Sequence, residues 1–154
     1  MPSPSTLPSS RSDPVREAAA ERYRQVRAAG RPLADTLTPE DQCVQSMPEA
    51  SPTKWHLAHT SWFFEAVVLE PHAPGYRMAD PAWAYLFNSY YEALGPRHPR
   101  PHRGLITRPG LDEVHAYRGH VDRAMLAFIA DATAAAWEAA APLVELGVQH
   151  EQQH

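Results

Sequence analysis

Three short strings in this chain carry residue types and spacings able to do chemistry. The first is "LGVQHEQQH", residues 146–154. His150 and His154 lie four apart, so on a helix both imidazoles share one face, one turn from each other. That is the spacing of helix-borne metal pairs. Read blandly, it is a solvated, glutamine-rich helix face. The string also matches H-E-x-x-H formally, with Glu151 where a zinc protease keeps its general base. No third ligand follows and no sheet precedes the helix, which argues against a protease.

The second string is "HLAH", which supplies His56 and His59. His59 shares a helical face with Trp55, Trp62, Phe63 and Ala66, so it is expected to point into the interior. Most core histidines are merely hydrogen-bonded. A histidine pair from one helix and a single histidine from another is nevertheless how helical bundles build metal sites. Three neutral imidazoles leave coordination positions open, and their chemistry suits zinc, nickel or iron. The third string is a proline-rich stretch punctuated by Arg97, Arg100, Arg103 and Arg108. A solvated basic loop is the ordinary reading. The functional one is a carboxylate clamp of guanidinium forks, stiffened by the intervening prolines. Cys43 sits in a polar connector with no histidine near it in sequence, which disfavours a thiol nucleophile.

These residues need elements to hold them. Asp13-Pro14 is a cap-plus-N1 pair that opens a helix ending at Gly30. Thr38-Pro39 is expected to open one short helical turn. Ser51-Pro52 repeats the start signal ahead of an apolar helix that Pro71 should stop. Residues 71–110 are rich in proline and glycine: one short helix is expected near 83–95, then an extended loop over 95–110. Leu111, Val114, Val121, Met125, Phe128 and Ile129 mark the buried stripe of the next helix. The last helical region runs from about Thr133 to His154, with Pro142 set to kink or restart it. The pattern predicts an all-α fold, a four-helix bundle with a long Pro/Arg-rich loop between the second and third helices.

Composition narrows the classes. With 154 residues, 44% of them hydrophobic, the chain suits one domain with its own core. Residues 1–12 read as a disordered Pro/Ser-rich tail and 13–154 as the helical domain. A net charge of -4 with no clustered basic face argues against nucleic acid. No apolar run approaches the roughly 20 residues of a membrane helix. A single cysteine and the lack of a secretory h-region suit a cytoplasmic protein. The last helix lacks a stop signal, so the chain is expected to be the first part of a longer one.

Taken together, "SPTKWHLAHTSWFFE", "FNSYYEALGPRHPRPHRG" and "LGVQHEQQH" resemble, in order and spacing, the N-terminal DinB-like domain of ergothioneine-biosynthesis sulfoxide synthases (EgtB-type). The resemblance covers about residues 14–154. It implies a non-haem Fe(2+) centre on His59, His150 and His154, with Glu151 and His56 outside the ligand set. It also implies that Arg100 and Arg103 bind the carboxylates of a thiol substrate. The implied reaction uses O2 to join γ-glutamylcysteine or cysteine to hercynine as a sulfoxide. Such enzymes continue into a formylglycine-generating-enzyme-type domain that contributes a catalytic tyrosine and much of the hercynine pocket. No such sequence is present here, so no catalytic residue is assigned within the chain. An ovothiol- or selenoneine-type synthase of the same plan, or a DinB-like metal-dependent thiol transferase, is the alternative.

Overall fold

The computed structural model describes residues 13–89 and 92–154, so the tail expected at residues 1–12 lies outside the described residues. The chain order is α1 (Pro14–Ala29), α2 (Arg31–Ala34), α3 (Thr53–Phe64), α4 (Glu70–His72), α5 (Trp83–Phe87), α6 (Leu111–Asp131) and α7 (Ala134–Gln153). A π turn, Glu65–Leu69, joins α3 to α4 without a break. The described residues contain no strand. Helices α1, α3, α6 and α7 form the bundle. Each of α3 and α1 packs on both α6 and α7, which places α1 and α3 at opposite corners. The all-α bundle with its long loop between the second and third long helices is therefore as the sequence predicts.

The local signals explain most of the boundaries. The Asp13 carboxylate accepts from the Val15 amide at 3.0 Å and caps α1, with Pro14 at the first helical position. Thr38 and Asp41 cap each other reciprocally, and a 3-10 turn follows at Asp41–Cys43. Ser51 does not cap α3, which starts behind Pro52 without a side-chain cap. The Ser51 hydroxyl accepts from Arg103 instead.

Three expectations need correction. The helix runs past Pro71 to His72, and the Ala73 amide still closes on the Leu69 carbonyl at 2.8 Å. A proline forfeits its own amide and crowds the turn behind it, so the helix ends close by rather than at the ring itself. Within the segment expected to be extended, Arg100–Leu105 forms a 3-10 helix. Pro101 stands in its first turn, where a fixed φ and a missing amide are tolerated. Pro142 lies inside a single uninterrupted α7 and restarts nothing.

The core is aromatic where α3 meets its neighbours. Tyr23 meets Phe64 edge to face, with centroids 5.0 Å apart. Gly147 of α7 faces the same Phe64. A methyl group added there would stand 2.8 Å from Cζ of that ring. Glycine is thus the residue that lets α7 approach α3 closely, one turn before its histidines. Glycine to alanine in a helix ordinarily stabilises by roughly 0.5–1 kcal/mol. We expect Gly147→Ala to destabilise instead, by about 1–3 kcal/mol of overpacking, read as a lower urea midpoint with an unchanged m-value.

Candidate metal centre

His59 is fixed first. Its ring is 1% exposed and stacks between Trp55, 4.4 Å away at 14°, and Trp62, 5.6 Å away at 16°. Its Nδ1 lies 2.6 Å from the main-chain carbonyl oxygen of Phe87, at the end of α5. A carbonyl only accepts, so Nδ1 carries the proton and Nε2 presents a lone pair. That nitrogen faces Nε2 of His150, 3.1 Å away. His154 completes the group: candidate ligand atoms of His59, His150 and His154 all lie within 4.8 Å of one another. Two bonds of about 2.1 Å to one ion can span at most about 4.2 Å. A small closing movement of the partly exposed last turn of α7 satisfies that limit. The three histidines singled out in the sequence therefore converge.

The environment keeps them neutral. Burial pushes His59 down to about 2, against a partial upward pull from the Phe87 carbonyl. Burial, then the neighbouring His154, lowers His150 to about 4. His154 is lowered for the same first reason. Neutral imidazoles offer lone pairs, which is what a metal requires. His150 Nδ1 is buried without a partner. Metal-free, His150 can satisfy the His59 contact only by donating from Nε2, which strands a lone pair at that buried Nδ1. A cation between the two facing Nε2 atoms would take a lone pair from each, so the donor set fits a divalent ion.

His56, which the sequence reading left without a role, touches the centre. Its Nδ1 is 2.9 Å from Nδ1 of His154. A hydrogen bond there leaves Nε2 of His154 for the ion, the outer-shell arrangement common to metal-bound histidines. Glu151 is excluded from the chemistry. One carboxylate oxygen takes Arg27 at 2.7 Å and the other takes Arg118 at 3.0 Å. The H-E-x-x-H match therefore has no free base. Nothing in the spacing of the sequence announces Arg27 and Arg118.

Beside the histidines opens a cavity of about 550 Å3, lined among others by Trp55, Ser89, Arg100 and Arg103. Arg103 is only 3% exposed. Its guanidinium sits 3.5 Å over the Trp55 ring and donates to the Ser51 and Ser89 hydroxyls at 2.8 and 3.4 Å. Its Nε has no partner, and among the described residues no carboxylate pairs with it. Burial, and then Arg100 and Arg97, lowers its pKa to about 10, which leaves it charged at neutral pH. The carboxylate clamp expected of Arg100 and Arg103 thus has both members on one cavity with the three imidazoles. Arg97 lines a neighbouring depression with Arg100 and Arg103, not this cavity.

A family model described as the DinB superfamily matches residues 22–154. The chain belongs to the DinB superfamily. No curated protein matches it. Membership in this family of metal-binding helical domains accords with the three converging histidines. Among the described residues of this DinB domain, no helix is long and apolar enough to cross a membrane.

The depressed histidines set a pH dependence. Unfolded imidazoles take up protons near 6.5, whereas His56 and His150 resist until about 4 and His59 until about 2. The folded metal-free domain therefore binds fewer protons below 6.5, and its stability falls as pH falls. In EDTA, the urea midpoint should be level above pH 6.5 and drop steadily toward pH 4.5. A midpoint that rises on acidification would contradict this.

Proposed function

We propose that this chain supplies the metal-binding domain of an Fe(2+)- and O2-dependent enzyme that joins a thiol to hercynine as a sulfoxide. The observation that carries the reading is the uncompensated Arg103 charge on the cavity that also holds three neutral imidazoles. An all-histidine donor set leaves the ion its full charge. Two cationic side chains nearby then favour an anionic co-substrate, and a thiol bearing carboxylates is one. The family resemblance of the three motifs supports the same chemistry.

The overall change is R–SH + imidazole C2–H + O2 → R–S(O)–C2 + H2O. The S–H and C–H bonds break and the C–S and S–O bonds form. One oxygen atom enters the sulfoxide and the other leaves as water. Iron, when bound, supplies the redox chemistry with oxygen and lowers the pKa of the thiol. The chain's own residues do the positioning. His59, His150 and His154 hold the ion. Arg103 and Arg100 bind the thiol's carboxylates and so fix where its sulfur lies, which turns an encounter of several bodies into a local step. The Phe87 carbonyl and His56 set the tautomers of His59 and His154. We further propose a cytoplasmic location and a second domain of the formylglycine-generating-enzyme type that brings the tyrosine and most of the hercynine pocket.

The thiol site is testable on the domain itself. Loaded anaerobically with Fe(2+), it should bind cysteine or γ-glutamylcysteine, seen by calorimetry. Arg103→Leu or Arg100→Leu should weaken that binding by one to two decades, about 1.5–3 kcal/mol for a charge-assisted contact. Iron content should not change, and Arg97→Leu should bind normally. Equal affinity in all three variants would remove the arginines from a thiol site.

Oxygen uptake with thiol and hercynine should require the completing domain. Zinc in the purified protein and thiol transfer without oxygen uptake would favour the thiol-transferase alternative.

A further inference from the structure

A carboxylate held between two buried guanidiniums lies directly behind the histidines. Glu151 stands between His150 and His154 on the last turn of α7. Its carboxylate is held between Arg27 of α1, at 2.7 Å, and Arg118 of α6, at 3.0 Å. Both guanidiniums reach further. Arg27 Nε donates to Asp122 at 2.7 Å and its NH2 to the Ser61 hydroxyl at 2.8 Å. Arg118 NH1 donates to the Leu57 carbonyl and the Thr60 hydroxyl, both at 3.0 Å. Thr60 and Ser61 immediately follow His59. The network thus grips the neighbours of the ligands on both helices, from two other helices.

Two physical points say that this is more than cohesion. His150 and His154 share one turn of α7 with Glu151, and three imidazoles bind one ion well only if their relative positions are held. Buried ion pairs are, moreover, a poor way to gain stability: well-packed apolar replacements often match or exceed them. Arg27 is 5% exposed and Arg118 8%, so both charges are desolvated at this position.

We propose that Glu151, Arg27 and Arg118 are positioning residues of the metal centre, with Glu151 the strut that holds the α7 turn bearing His150 and His154 against His59. The proposal rests on the reading that the three histidines bind a metal.

Co(2+) is the probe, titrated into the metal-free domain and followed by its visible absorption in competition with a chelator. Wild type should bind one ion. Glu151→Gln and Arg118→Met should keep the helical circular dichroism yet bind Co(2+) 10- to 100-fold more weakly, with an altered visible band. The metal-induced rise in melting temperature should shrink more than the melting temperature of the metal-free form. Glu145→Gln, which removes the exposed pair that α7 makes with Arg22 of α1, should bind as wild type. If Glu151→Gln does not fold, Glu151→Asp decides. It keeps the charge but shortens the reach, and weakened binding by a folded protein supports the strut. Wild-type affinity and spectrum in folded Glu151→Gln, or in Glu151→Asp if that is the variant that folds, overturn the proposal. Absence of Co(2+) binding by wild type would overturn the histidine site itself, which is a different failure.

Discussion

Everything in this domain answers to one constraint: α3 is enclosed on nearly every side. All of its residues except Thr53 and His56 are buried. An interior helix rich in Leu and Phe alone would need nothing further. This one carries Lys54, His59, Thr60 and Ser61 inward, and each buried polar group must find a partner or cost free energy. The Lys54 ammonium donates to the Ile106 carbonyl at 3.0 Å. His59 turns to Phe87, and Thr60 and Ser61 turn to the arginines of α1 and α6. The long loop between α4 and α6 is thereby committed to α3, since two of these acceptors belong to it.

The same enclosure decides the electrostatics of the centre. Desolvation suppresses imidazolium, so His59 is held neutral, with its pKa pushed down to about 2. Cationic groups are treated in two ways. Arg27 and Arg118 have carboxylates facing them. Arg103 has an aromatic face and two hydroxyls. Stacking on indole stabilises a guanidinium without cancelling its charge. Arg103 therefore keeps an unpaired charge on the cavity beside the histidines, while the charges of Arg27 and Arg118 behind them are paired with carboxylates.

Much of this was legible in the sequence, and the limits have physical reasons. The caps at Asp13 and Thr38, the Gly30 stop and the apolar stripe of α6 are local, and local signals placed those elements. His59, His150 and His154 were readable because helical periodicity fixes which residues share a face. Pro142 and Pro101 misled because a proline's effect depends on its place within a turn. Arg27 and Arg118 were invisible: on their own helices they resemble exposed arginines, and only tertiary packing shows that they meet Glu151. His56 escaped for a related reason, since its partner lies 98 positions away on another helix.

The acceptor that orients His59 is a main-chain oxygen. Replacing the side chain at position 87 cannot delete it; only rerouting the backbone can. The orientation of this histidine is therefore robust to point substitution at its own partner and fragile to insertions or deletions in the loop that carries it. What this histidine requires of the loop is its length and path, not the identity of the side chain at position 87.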